Sequence, residues 1–130
     1  MNTPVAGVLD ASALLAVVLR EIDDQQAERW LHRASMSAVN LSEVVARLSD
    51  LDYAPDMIAD GLAEFDLDIH PFDAAQAERA GRLRAATRHR GLSLGDRACL
   101  ALAAELGRPA ITADRAWAEF DLGISIEVIR

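Results

Sequence analysis

Lysine is absent from this chain of 130 residues, and all 13 basic side chains are arginine. Against 21 acids they leave a net charge of −8. That balance argues against passive, charge-driven attraction to nucleic acid. It is compatible with nucleic-acid chemistry that works through bound cations, because cations need carboxylates, so the placement of the charges matters more than their sum. Cysteine occurs once, at Cys99, which rules out an internal disulfide, and no Cys/His spacing suggests zinc. Long apolar runs are missing too. The longest, from Ala11 to Leu19, has nine residues including a serine, whereas a membrane span needs about twenty. Met1-Asn2-Thr3-Pro4 has no basic region of a targeting signal. These absences predict a cytoplasmic protein with no membrane contact. There is also no internal repeat, low-complexity tract, glycine-rich phosphate loop or Ser/His/Asp arrangement. What is present is 52% apolar residues, enough to exclude disorder. The length fits a single domain, residues 1–130, that buries roughly two thirds of its unfolded surface without staples.

Strand and helix patterns alternate along the chain. Val5 to Leu9 reads as a buried strand, and Asp10-Ala11-Ser12 opens a helix to about Arg20. A second helix runs from Asp24 to about Ala34, burying Ala27, Trp30, Leu31 and Ala34. Ser35 to Ala38 is a short strand. Asn40 is placed to cap a helix whose Leu41, Val44, Val45, Leu48 and Leu51 share one face. Pro55 suits the first turn of a fourth helix, to Phe65. Leu67 to Phe72 is a third strand, and Asp73 caps a long helix to about His89. Ser93 opens another helix, which Gly107 ends. Pro109 to Thr112, a short helix from Asp114 to Phe120, and a strand from Ile124 to Ile129 complete the chain. This alternation predicts a mostly parallel five-stranded sheet in a three-layer α/β/α sandwich. Ligands of such a sheet bind beyond the carboxyl ends of its strands.

Four acids stand at helix starts: Asp10, Glu43, Asp96 and Asp114. Each has a simple structural reading. Acids favour the first helical turn, Asn40-Leu41-Ser42-Glu43 has the form of a capping box, and Ser93-Leu94-Gly95-Asp96 is a weaker version of it. Together they point elsewhere. Asp10, Glu43 and Asp114 follow strands and so share the carboxyl edge of one sheet, and Asp96 begins a helix beside the first strand. Converging carboxylates repel and raise at least one pKa, and divalent cations with oxygen ligands relieve that repulsion. The three histidines, His32, His70 and His89, share no ligand spacing. Cys99 reads as a small core residue, and Trp30 and Trp117 as core or interface aromatics.

Four stretches then match a known pattern in order: Val8-Leu9-Asp10-Ala11-Ser12-Ala13-Leu14-Leu15, Asn40-Leu41-Ser42-Glu43-Val44, Leu92 to Ala103 around Gly95-Asp96-Arg97, and Ile111-Thr112-Ala113-Asp114-Arg115-Ala116-Trp117. Through them the chain resembles the PIN-domain ribonucleases, and among these the VapC toxins of bacterial toxin–antitoxin pairs. The resemblance implies strand order 3-2-1-4-5. It implies a site in which Asp10, Glu43, Asp96 and Asp114 hold Mg2+ or Mn2+, supported by the hydroxyls of Ser12 and Thr112. It also implies RNA cleavage by metal-activated water, a homodimer, and a VapB-like antitoxin partner that binds through its C-terminal segment and sets a basic residue near the acids. Arg115, Ala116 and Trp117 follow Asp114, so any fifth acidic ligand must come from elsewhere.

The competing reading is a non-catalytic PIN-like module that binds an antitoxin and regulates its operon; the intact quartet weighs against it. A phosphatase of the haloacid-dehalogenase type would want an acid where Ser12 stands. A groove along the first, second and fourth helices, with Leu15, Val18, Leu19, Trp30 and Met57, is the expected antitoxin seat. From Arg79 to Gly95 there are five arginines and no acid, so the rest of the chain sums to −13. That stretch is either a solvated helix face or an RNA grip, in which Arg88, Arg90 and Arg97 would bind phosphate oxygens.

Overall fold

A computed structural model describes residues 3–130. Met1 and Asn2, part of the stretch read for a targeting signal, lie outside the described residues. Five short strands, β1 (Val8–Leu9), β2 (Ser35–Ser37), β3 (Asp68–His70), β4 (Ala110–Thr112) and β5 (Ile126–Val128), form one sheet. Its order is β3-β2-β1-β4-β5 and every pairing is parallel. The expected order therefore holds, with β1 central. All five strands are shorter than the runs that announced them, because only part of each run pairs with its neighbours.

Six helices connect the strands: α1 (Ala11–Val18), α2 (Asp24–Leu31), α3 (Ala38–Asp50), α4 (Pro55–Ala63), α5 (Ala74–Thr87) and α6 (Leu94–Leu106). Successive strand residues point to opposite faces, so β1 feeds two cores. Leu9 packs with Leu14, Trp30, Met36, Val44 and Ile58 under α1 to α4. Val8 packs with Cys99, Leu100, Leu102 and Trp117 under α6. Two side-chain ties join α5 to α6. Gln76 Nε2 donates to Glu105 at 2.7 Å, and Arg97 Nη1 donates to the Ala80 carbonyl at 3.0 Å.

Helix starts obey the sequence except at one place, and α2 stops at Leu31, short of the expected Ala34. Asp10, Asp23, Asp73 and Ser93 cap α1, α2, α5 and α6 with side-chain oxygens. Pro55 begins α4, and Gly107 closes α6 in the left-handed region at φ 63°. The exception is α3, where Asn40 is not the cap. Ser37, the last residue of β2, takes that role by accepting from Val39 N at 3.2 Å. The helix starts at Ala38, the residue directly after β2 ends, with no loop between them, so Asn40 falls inside the first turn and is buried. Conversely, Ser93 and Asp96 form a full capping box, each side chain accepting from the other's backbone N–H. The short helix after β4 is a 3-10 turn, Arg115–Glu119, and the residues after α5, Arg88–Arg90, form another.

The cap assignment can be checked by urea unfolding. Ser37→Ala and Ser93→Ala should each lower stability by about 1 kcal/mol. Ser42→Ala, exposed within α3, should stay within about 0.5 kcal/mol of the native protein. A loss at Ser37 no larger than that at Ser42 would remove Ser37 as the cap of α3.

Candidate metal and nucleic-acid site

Asp10 lies where β1 turns into α1, at the centre of the carboxyl edge. Its carboxylate is only 5% exposed and is held on both oxygens. Oδ1 accepts from Ala13 N at 2.8 Å and Ser12 Oγ at 2.7 Å, and Oδ2 accepts from Thr112 Oγ1 at 2.6 Å. The two hydroxyls are themselves held, since Ser12 Oγ accepts from Ala113 N and Thr112 Oγ1 accepts from Asp114 N. Ser12 and Thr112 thus tie Asp10 to β4 across the sheet edge.

Burial pushes the Asp10 carboxyl up from 3.8 to about 6, against the opposing pull of the Thr112, Ser12 and Ala13 hydrogen bonds. The charge of Asp96 adds to the rise but is the smallest cause. One raised carboxyl was expected from repulsion within the quartet; desolvation is the larger cause here, because β1 is the central strand and both layers shield its end from water.

Glu43 projects from the second turn of α3. Asn40 Nδ2 donates to its Oε1 at 2.9 Å and to the Gly95 carbonyl at 3.0 Å. Asp96, half-buried in the first turn of α6, accepts from Ser93 N through Oδ2. The charges of Asp10, Asp96 and Glu43 all reach the buried Cys99 thiol, and together with its burial they push it far above the usual thiol range. Of the other two, Asp96 also acts on Asp10 itself. Asp114 is linked to them through its backbone N–H to Thr112. Its carboxylate is exposed and caps the 3-10 turn at Ala116 N, 3.0 Å away.

Among the described residues no three acidic, histidine or cysteine side chains stand close enough to form a closed metal cage. The residues nevertheless fit a hard divalent cation. The donors are all carboxylate oxygens, and among the described residues none of the four acids is ion-paired to an arginine or histidine. In addition, the Glu43 carboxylate occupies the space that a side chain on Gly95 would fill.

The three arginines expected at phosphate divide. Arg97 is turned inward to the Ala80 carbonyl, so it ties α6 to α5 and is not free for a phosphate. Arg90 is paired with Glu119 at 2.8 Å and lies over the Phe120 ring; proximity in space to an acid 29 residues away could not be read from the chain. Arg88 is exposed, and among the described residues its side chain has no partner. The expected groove also changes in part. A groove of about 350 Å³ is lined by Val18, Met57 and Leu62 of α1 and α4, with Leu48 of α3 and Tyr53, while α2 contributes only Asp24. Trp30 is not in it. It is 3% exposed and belongs to the core, with Arg29 stacked on its ring. Two residues at the site were hidden from sequence reasoning, Asn40 and Gly95. The available signal was their spacing, three before Glu43 and one before Asp96.

A parallel sheet in this order, with acids from β1, α3, α6 and the end of β4 on one edge, defines a class of α/β proteins with an acidic edge site. Within it, a family model for the PIN domain matches residues 7–122. A chain of VapBC-5 from Mycobacterium tuberculosis, a member of the VapBC family of toxin–antitoxin systems, is 32% identical over 98% of this chain and 99% of that one, with a TM-score of 0.59. A chain of the DNA-bound VapBC from Salmonella typhimurium gives a TM-score of 0.78 at 20% identity, covering 97% and 99%. VapBC2 from Rickettsia felis, bound to a DNA fragment from its promoter, gives 0.75 at 16%, covering 95% and 98%. The last two likenesses concern the fold alone. No curated protein matches the sequence. The chain belongs to the PIN-domain family, a family of nucleases, and to its VapC-type branch.

The state of Asp10 sets a pH dependence. The folded protein keeps this proton to about pH 6, whereas an unfolded aspartate releases it near 3.8. The native state binds more protons in that window, so stability falls as pH rises through it. The cost is about 3 kcal/mol at neutral pH. In buffer with a chelator, the native protein should lose about that much more stability between pH 4 and 7.5 than Asp10→Asn does. Equal pH dependence of the two would mean that the carboxylate is solvated.

Proposed function

We propose that this protein is a metal-dependent endoribonuclease, the toxin of a toxin–antitoxin pair, acting as a cytoplasmic homodimer. The observation that carries the reading is the buried Asp10 carboxylate, with the charge of Asp96 acting on it, Glu43 acting on the same buried Cys99 thiol, and, among the described residues, no cationic side chain bonded to any of the three acids. Asp10, Glu43, Asp96 and Asp114 would hold Mg2+ or Mn2+. Such an ion lowers the pKa of a coordinated water and stabilises charge on a phosphoryl oxygen. The residues supply placement. Ser12 and Thr112 keep both Asp10 oxygens aimed, the capping box keeps Asp96 at the start of α6, and Asp114 stands at the outer lip. Arg88, exposed and unpaired, offers a fork for the RNA backbone.

The test is cleavage of a mixed RNA pool. The native protein should cut with Mg2+ or Mn2+ and not with a chelator, and Asp10→Asn and Asp96→Asn should lose cleavage while remaining folded. Metal-dependent cutting that survives in Asp10→Asn would remove the assignment. Folded native protein that never cuts would favour the non-catalytic module. With the cleavage-dead Asp10→Asn protein, Arg88→Ala should reduce the salt slope of log K for single-stranded RNA by about 0.7. An unchanged slope would assign Arg88 to solvent.

The partner of this reading is a VapB-like antitoxin whose C-terminal segment lays an apolar helix face in the groove between α1 and α4. Support comes from the exposed Met57, 62% accessible at the groove, and from the relatives, which are toxin–antitoxin complexes. Co-expressed with the product of a small neighbouring reading frame, Met57→Asp should weaken the complex at least tenfold by calorimetry. Unchanged affinity would place the partner on another face.

A further inference from the structure

Three of the four site acids are aimed by the backbone. Asp10 accepts from Ala13 N, Asp96 from Ser93 N and Asp114 from Ala116 N. Each is a short side chain at a helix start, where unpaired N–H groups are available. Among the described residues Glu43 has no such donor. It sits six residues after the Ser37 cap, where the helix N–H groups are used by carbonyls. Its side chain is also one methylene longer, with an additional rotatable bond. A freely rotating carboxylate there would fail to hold a fixed position.

Two residues remove that freedom. Asn40, 1% exposed, lies one turn before Glu43 on the same face of α3. Its Nδ2 is divided between Glu43 Oε1, at 2.9 Å, and the carbonyl of Gly95, at 3.0 Å. One amide therefore ties Glu43 to the peptide that precedes Asp96. The amide orientation is unambiguous, because both partners are acceptors and a reversed group would set its own oxygen against them. The second residue is Gly95. A Cβ built on it would overlap both oxygens of the Glu43 carboxylate. Gly95 is the second residue of α6, where glycine is a poorer helix former than alanine, and what its bare Cα admits is the Glu43 head group.

We infer that Asn40 and the bare Cα of Gly95 act as one positioning device that fixes Glu43 by Oε1 and leaves Oε2 to face a divalent cation beside Asp96. This inference rests on the metal-dependent reading above. Asn40 and Gly95 are positioning residues. Neither is placed on substrate, and both act through Glu43.

The test titrates Mn2+ alone into the complete chain by calorimetry, with melting temperature measured in parallel and no RNA present. Asp10→Asn is the control for the metal site. Asn40→Ala should weaken Mn2+ about tenfold, the scale on which groups that orient a ligand act. Gly95→Ala should weaken it similarly while leaving the melting temperature unchanged or higher, since alanine is the better helix former. That opposition of signs separates positioning from a structural role. In a Glu43→Gln background both effects should shrink to within twofold, because the group they position has changed. Native-like Mn2+ affinity in Gly95→Ala, or undiminished effects in the Glu43→Gln background, would overturn the inference while leaving the metal site standing. Equal Mn2+ affinity in native protein and Asp10→Asn would instead overturn the metal reading, and this inference with it.

Discussion

The fold turns on a carboxylate placed where carboxylates are expensive. Asp10 ends the central strand, and both helical layers close over it. Its three hydrogen bonds join the end of β1, the start of α1 and the end of β4. An aliphatic residue there would spare the desolvation cost but would leave Ser12 and Thr112 without the acceptor that orders them. The hydroxyls are not incidental, since each also receives a backbone N–H from the chain leaving β4. The edge of the sheet is therefore held by a polar network whose centre is an acid, and the network is satisfied without a cation bonded to it. Such sites are drawn from locally unfavourable arrangements that the surrounding fold over-determines.

Much of this was legible in the chain because it depends on local rules. Alternating apolar runs and helix caps fix five parallel strands and six helices, and the order β3-β2-β1-β4-β5 follows from the family likeness. The limits were equally local. Asn40 looked like a cap because asparagine favours caps and glutamate stood three residues later. The deciding fact was the absence of a loop between β2 and α3, which let Ser37 cap the helix first. Arg90 and Arg97 looked free because their partners, Glu119 and the Ala80 carbonyl, are remote in sequence. Trp30, expected both in the core and at the groove, is core alone, because its ring packs with Leu9, Met36 and Val44. In each case the missing information was a tertiary contact.

The capping and catalytic readings of the acids, opposed when only the sequence is considered, turn out to be compatible. A cap fixes a carboxylate at the mouth of a helix with one oxygen toward the backbone, and that is also how an acid is presented to a ligand with its other lone pairs free. Asp96 illustrates this. Its Oδ2 closes the capping box, which anchors the residue without consuming the carboxylate. A domain that builds its site from helix starts thus obtains positioning from the same hydrogen bonds that stabilise the helices.

That economy has a geometric limit, and Glu43 marks it. Parallel strands deliver helix starts only at their own carboxyl ends, so an acid one turn further along α3 needs a longer side chain to reach the same point. Reach comes with rotational freedom, and the backbone at that depth has no donor to spare. The fold meets the need with a buried amide from the preceding turn and with a glycine in the neighbouring helix. Both lie on the same surface, where α3 and α6 meet above the sheet. A substitution at either position is invisible to a pattern that reads only acids, yet it acts on the acid that has no backbone N–H to hold it.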